Sequence, residues 1–439
     1  MSAFQARAAE GFRWGRTASL AALAFVLPLS LAASNILWVA ALACVAGLWA
    51  ADPASRVYRR TGLEFPWAVY LAVEVATAAL SVRPGHSLGK VSSEILVVLF
   101  LLYAQSPSES RRHIGFFLSG AALAGGLGVA QKALGFSWND FLDLGIRPGW
   151  APGWPPPVLR LFSLWRGRAV GFYSHPVTYA EMLLPALTLA LASACAAPAL
   201  RGQLNRRASA VKFFAVLGGV AASGTRAVWM AVPASLALWA AVRRDRRIAA
   251  AAAAVVAAAL VAGALSPEFR RRVASVADLK ANPSNLIRRG VWLASVKVVL
   301  EHPIAGVGIG NLHIPGRALR WGGAAPDSDW TETHNIYLQM AVERGLPGLA
   351  VFLWLLACYG RLLWKAAAAD RLWNGLFFGF VGLAFAGLTE SWTHDSEIMM
   401  CFYFLLGSAA AASAALPPQV SRPPAEASLR ERIADGSSK

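Results

Sequence analysis

The sequence predicts an all-α polytopic membrane protein. Of its 439 residues 56% are apolar and only 15% charged, and apolar stretches of about 17 to 25 residues recur along it. A helix of that length crosses about 30 Å of hydrocarbon, and within lipid only a helix or a closed barrel satisfies the backbone. We read about twelve spans, at 17–32, 34–50, 64–81, 92–105, 114–131, 176–199, 210–223, 226–242, 248–266, 335–358, 373–390 and 396–414. The first, fourth and seventh are short, so eleven is the alternative count. Arg7, Arg13 and Arg16 precede the first span, but no clear small-residue cleavage site ends it before the second begins. It is therefore read as a span and not as a cleaved signal.

Charge orients these spans. Arg56, Arg59 and Arg60, then Arg111 and Arg112, Arg201, Arg206 and Arg207, Arg243, Arg244, Arg246 and Arg247, and Arg361, Lys365 and Arg371 fall in alternate loops. The positive-inside rule makes such loops cytoplasmic, and both termini with them. The net charge of +17 is thus mostly topological. Nucleic-acid binding would want a soluble basic face with aromatics, and is not expected.

The same counting divides the chain. Residues 1–131 hold spans one to five, 132–175 a first outer loop, and 176–266 spans six to nine. A large outer loop of 267–334 follows, then spans ten to twelve over 335–414 and a Pro-, Ser- and charge-rich tail, 415–439, read as disordered. Short outer turns surround Arg83 to Lys90, Ser223 to Arg226 and Glu390 to Glu397. The large loop carries Arg270, Arg271, Arg272, Lys280, Arg288, Arg289, Lys297, Arg317 and Arg320. Long loops escape the charge rule, yet so many cations outside ask for a reason. Cys44, Cys195, Cys358 and Cys401 lie in or at the edge of spans and imply no disulfide framework. Residues 249–263 are an Ala and Val run suited to close helix packing in lipid. No internal repeat is visible.

In the first outer loop, RPGWAPGWPPPVLR at 147–160 is too rich in Pro and Gly for a helix, with Trp138, Trp150, Trp154 and Trp165 around it. Such Trp are interface anchors or a platform for an amphipathic ligand. Pro176 suits a helix start, so His175 either caps that start or lines a site. Arg168 is the better candidate for binding. Arg226, in the turn SGTR, either snorkels to headgroups or holds an anion, since a charge there is expected to have a partner. Residues 285–303 place Ile287, Val291, Ala294 and Val298 on one helical face and Leu293, Val296 and Leu300 on another. The stripe is not clean, and the segment reads as a helix lying on the membrane or packed between it and the loop, stopped at Pro303. Arg288 and Arg289 near its start can hold an anion together with backbone N–H groups. The GVGIG at 306–310 has no βαβ context and reads as a tight turn, not a nucleotide site.

His334 and Asn335 close the large loop and open a span that continues through Glu343 and Arg344, which should face the protein interior or pair with each other. His suits proton transfer near neutral pH. A structural histidine is the alternative, but delivery to the same face as Arg226 and Arg288 favours catalysis. Asp327 and Asp329 have a D-x-D spacing by which a divalent cation could be held on a pyrophosphate. Several arginines could neutralise that group unaided, so no metal or other cofactor is expected.

The motifs RAVGFYSHPVTYAEMLLP, SGTRAVW, RRGVW running into HPIAGVGIGNL, and HNIYLQMAVERGLPGL together resemble the O-antigen ligase and polymerase superfamily, over about residues 165 to 350. The resemblance implies an inverting, GT-C-like glycosyltransferase of the bacterial inner membrane, working at the periplasmic face in lipopolysaccharide biosynthesis. Its donor would be an undecaprenyl-pyrophosphate-linked glycan and its acceptor, most like an O-antigen ligase, the lipid A core. Arg226 and Arg288 match the family's essential arginines and His334 its histidine. Arg168, Arg289, Asn335, Trp292 and His175 are the substrate-binding candidates; the family often has Asn where His175 stands. An O-antigen polymerase, a protein O-oligosaccharyltransferase and a lipid-linked glycan transporter are the competing readings.

Overall fold

The computed structural model describes residues 2–134, 168–195, 206–265, 267–278, 282–314 and 332–414. The stretch 147–160, the four Trp of the first outer loop, Lys280, Arg317, Arg320, the Asp327 and Asp329 pair and the tail lie outside them. Among the described residues the regular elements are helices and no strand occurs. In chain order these are α1 (Ala3–Val26), α2 (Leu31–Ala51), α3 (Glu64–Ala79), α4 (Pro84–Val91), α5 (Val97–Ala104) and α6 (Ser110–Leu134). Then come α7 (Pro176–Ala194), α8 (Arg206–Ser223), α9 (Arg226–Arg243), α10 (Arg246–Leu265), α11 (Pro267–Ala277) and α12 (Pro283–Glu301). The last three are α13 (Ile336–Ala369), α14 (Arg371–Ala386) and α15 (Ser396–Ala414). Each expected span falls on a helix. Among the described residues six helical stretches are long and apolar enough to cross a membrane: Leu31–Ala51, Pro84–Ala104, Pro107–Leu134, Pro176–Ala194, Ile336–Ala368 and Ser396–Ala414.

Helix α7 is the axis of the bundle and is buried from Thr178 to Ser193. Small residues on its neighbours allow that. A Cβ at Gly375 of α14 would meet the Thr188 carbonyl oxygen at 2.5 Å, and one at Gly379 the Thr188 hydroxyl at 2.5 Å. On another side the Tyr179 hydroxyl donates to the Ala124 carbonyl at 3.0 Å, and a Cβ at Gly128 or Gly219 would strike it. Such close approach is how helices gain contact where lipid offers no hydrophobic driving force. By contrast α10, the Ala and Val run, packs on α9 and is otherwise largely exposed. Its small residues suit a lipid-facing helix as much as a packed one.

Two expectations about connections need correction. The expected outer turn from Arg83 to Lys90 is helical: Pro84 starts α4, which passes through a 3₁₀ turn at Ser92–Leu96 into α5. Polar Gly85, His86, Ser87 and Lys90 hide this start from hydropathy, while Pro at the first helical position favours it. Arg361 and Lys365, expected in a loop, belong to α13, which runs on to Ala369. The large loop, where a helix is expected over 285–303, holds two regular helices, α11 and α12. Asn282 caps α12 by accepting from the Ser284 and Asn285 amides, and Val291, Ala294 and Val298 are buried while Leu293 and Leu300 are exposed.

Helix α13 is broken at Gly345, whose φ is 68°. Gly tolerates that region without a Cβ clash, and Pro347 removes a further donor from the helix. The backbone groups released are taken by the segment after α12. Val307 N–H donates to the Val342 carbonyl and Gly308 N–H to that of Glu343, each at 2.9 Å, while Leu346 N–H donates to Pro303 at 2.7 Å. A side chain at Gly306 would collide with the Val342 and Glu343 backbone. The GVGIG motif is thus a strap bonded to the helix break. Its far side docks on the α3–α4 turn, where Val82 N–H donates to the Val307 carbonyl and the Asn311 amide to the Ser87 hydroxyl. Beneath it Arg344 is buried between Glu74, at 2.5 Å, and Glu343, at 2.8 Å.

The contacts sort the loops into two ends. At one, Arg13 pairs with Asp52, Arg111 with Asp370 and Arg371 with Asp245, joining loops all expected to be cytoplasmic. At the other, the SGTR turn, α11, α12, the strap, residues 332–335 and residues 387–395 meet.

Candidate active site

Local geometry brings the arginines to that second end. Gln131 of α6 accepts from the Val170 and Gly171 amides at 3.1 and 2.9 Å, and Ala169 N–H donates to the Ala222 carbonyl at 3.0 Å, which holds the segment before α7 between α6 and the end of α8. Arg168 then donates through Nε to the Ser223 carbonyl at 2.8 Å and through Nη2 to the Thr225 hydroxyl at 3.1 Å. In that turn Gly224 takes a φ of 62°. Arg226, the first residue of α9, reaches across to the large loop, donating to the Ser275 carbonyl at 2.8 Å and to the Ser284 hydroxyl at 3.2 Å. Phe269 stacks on Trp229 at 4.7 Å and so seats α11 on α9. That places Arg272, whose Nε donates to the Gly224 carbonyl at 3.1 Å.

Arg288 and His334 meet through a carboxylate. Arg288 Nη2 lies 2.7 Å from Glu390 Oε1, and His334 Nδ1 lies 3.9 Å from the other Glu390 oxygen. The second distance is too long for a hydrogen bond, so it is an electrostatic contact. His334 itself has φ of 52°, a region that His enters more readily than most residues but that still costs on the order of 1 kcal/mol. Its neighbours hold it there. Thr333 N–H donates to the Gln339 side chain at 2.7 Å, the Asn335 amide to the Thr333 hydroxyl at 3.2 Å, and Trp292 Nε1 to the Thr333 carbonyl at 2.9 Å.

The field of the cluster is cationic. Burial, then Arg272, pushes the Arg168 guanidinium down to about 9, with Glu390 opposing; it still carries its charge at neutral pH. Burial and the Arg288 charge likewise lower Arg272. Burial raises the Glu390 carboxyl above its usual range, against the pull of Arg288. Burial, then Arg288 and His175, pushes His334 down to about 4, although about a third of its side chain meets solvent. It is therefore a neutral imidazole at physiological pH.

Beside these residues opens a cavity of about 560 Å³. Arg226, Arg288, Arg289 and Trp292 supply its polar wall, and Leu293 and Phe385 are among its apolar residues. One cationic wall and one greasy one suit an amphipathic anion, because guanidinium forks hold phosphate oxygens bidentately. Arg226, Arg288, Arg289 and Trp292 are thus brought together as read from the sequence, with Arg168 and His334 adjoining. Asn335 instead caps α13, where its side chain accepts from the Tyr337 and Leu338 amides and donates to the Leu388 carbonyl. His175 caps α7, its Nδ1 accepting from the Val177 amide at 3.2 Å. Burial, then Arg168, pushes its imidazole down to about 4. Sequence reasoning does not single out Glu390 or Arg272. The signal for them is an acid in a short outer turn facing a loop rich in Arg, and only the tertiary fold gives it a partner.

Residues 211–353 match the family model described as O-antigen ligase. The matched stretch runs from α8 to the middle of α13, so it contains Arg226, Arg272, Arg288, the strap and His334. No curated protein matches the chain. The O-antigen ligase match supports ligase- or polymerase-type action in lipopolysaccharide-related glycan processing. Arg168, His175 and Glu390 lie outside the O-antigen ligase match and join the site by geometry alone.

Proposed function

We propose that the protein is an inverting glycosyltransferase with a GT-C-like bundle of about twelve spans in the bacterial inner membrane. It moves O-antigen polysaccharide from undecaprenyl pyrophosphate to the lipid A core at the periplasmic face. The observation that carries this reading is the meeting of Arg226, Arg288 and Arg289 on one predominantly apolar cavity, with His334 beside them. A diphosphate with a polyprenyl tail has the charge and the grease that this cavity offers.

The reaction is one displacement. An acceptor hydroxyl gives its proton to His334, its oxygen forms a bond to the anomeric carbon, and the bond from that carbon to the pyrophosphate oxygen breaks with its electron pair. Glu390, facing Nδ1, favours the protonated imidazole that forms as the proton arrives. Arg226, Arg288 and Arg168 stabilise charge growing on the departing pyrophosphate, which leaves without an acid. Glu390 positions both partners, bonding Arg288 and facing His334. The arriving diphosphate offsets the cationic field and raises the imidazole, because a nearby opposite charge favours its protonated form.

Reconstitution of the purified protein with a lipid-linked glycan and lipid A core oligosaccharide tests this. The expected result is a ligated product that tolerates EDTA. Product formed only on a second lipid-linked glycan would make the protein a polymerase, and product on a serine peptide a protein transferase. No turnover of donor in detergent, where there are no compartments to cross, would leave transport.

A further inference from the structure

A second cavity, of about 630 Å³, lies on the other side of the turn that carries Glu390. Two short segments divide it from the arginine cavity. Thr389 faces the arginine cavity while Trp392 and His394 line the second. Likewise Glu332 lines the second cavity, whereas the Thr333 carbonyl is bonded by Trp292 of the arginine cavity. His334 follows directly on that partition. A transfer reaction brings two substrates to one base, and here two cavities flank the segment that carries the base.

The lining of the second cavity differs in kind. Its floor is aromatic, with Trp67 in ring contact with Tyr70 and Tyr403, both at 5.6 Å, and Trp392 with Phe402 at 5.7 Å. Its rim is polar, with His86, Lys90, His313, Glu332 and His394. Gly310 keeps the rim open: a Cβ there would meet His86 Nε2 at 3.0 Å and Lys90 Cε at 3.7 Å. Among the described lining residues the one arginine, Arg344, is held by Glu74 and Glu343, so that lining differs from the arginine wall of its neighbour. Flat rings suit the C–H faces of sugars, carboxylates and imidazoles suit hydroxyls, and Lys90 suits a phosphate as a point charge.

We infer that this second cavity binds the acceptor, as an oligosaccharide headgroup bearing phosphate, with Lys90, His86 and Glu332 as specificity-determining contacts. The assignment rests on the glycosyltransferase reading above, and two measurements separate the fate of the two. The first is equilibrium binding of a phosphorylated core oligosaccharide, freed of its acyl chains, to the full chain in nanodiscs. Lys90→Met and Glu332→Gln, both at partly open rim positions, should each weaken binding about tenfold, while Arg226→Ala leaves it unchanged. The second is the transfer assay, in which the same two variants should raise KM for the acceptor and not for the donor. Wild-type protein that fails to hold the oligosaccharide overturns the inference, as does weakening by Arg226→Ala alone or a rise in donor KM in the rim variants. Binding that depends on Lys90 and Glu332 without any transfer would keep the acceptor cavity and remove the catalytic reading.

Discussion

The two ends of the bundle are both built with arginine, and they use it differently. At the end expected to face the cytoplasm, each of Arg13, Arg111 and Arg371 has its own carboxylate, on Asp52, Asp370 and Asp245. At the opposite end Arg168, Arg226, Arg272 and Arg288 crowd round Glu390, close enough that burial and mutual repulsion loosen the protons of Arg168 and Arg272. The first pattern is structural and topological. The second, among the described residues, gathers several cations about one carboxylate, an arrangement that marks a candidate anion site.

The comparison is broken most severely by removing the base. His334→Ala should lower kcat by about 10²- to 10⁴-fold, and a purified variant that transfers at the wild-type rate would reduce His334 to a structural role. Next, Arg226→Ala and Arg288→Ala should each cost on the order of 10²- to 10³-fold in rate. Lys at either position should restore only part of that, since an ammonium cannot form a bidentate fork. Glu390→Gln should have a smaller effect, about tenfold in kcat, as expected of a partner that orients a histidine. Steady-state kinetics on protein shown to be folded by size exclusion would separate these. At the other end, Asp245→Asn should shift stability by no more than about 1 kcal/mol, because Arg371 is well exposed, and should leave transfer unchanged. A loss of activity there would collapse the distinction between the ends.

Acidity sharpens the same contrast. The base must be neutral to act, and in the free protein His334 is held down to about 4. Activity measured as kcat/KM should therefore persist well below the ordinary imidazole range and fall only as pH approaches about 4. Bound diphosphate raises the imidazole, so the acid limb of kcat should lie at higher pH than that of kcat/KM. Coincident limbs would show that the diphosphate does not sit beside His334.

Much of this architecture is legible in the sequence. Hydropathy marks stretches that all become helices, because residues meeting lipid or a packed interior must be apolar along their length. Helical period sorts the apolar residues of α12 into two faces, and the fold buries the one with Val291, Ala294 and Val298. Arg226, Arg288 and His334 stand out by motif and do converge. What escapes depends on tertiary partners. Glu390 becomes informative only when Arg288, about a hundred residues earlier in the chain, arrives at its carboxylate. Asn335 also caps α13, a role that its place beside His334 does not announce. The helical start at Pro84 is hidden by polar residues that face the second cavity and the strap.

The strap at 302–314 also bears on how the chain is assembled. A helix interrupted at membrane depth exposes carbonyls that lipid cannot satisfy, at several kcal/mol for each group. Here the donors that relieve Val342 and Glu343 belong to residues synthesised before them, and those residues rest on a serine turn made earlier still. Every link in this chain of bonds thus joins a later segment to an earlier one, and the arm bearing His334 hangs between the strap and the helix that the strap completes.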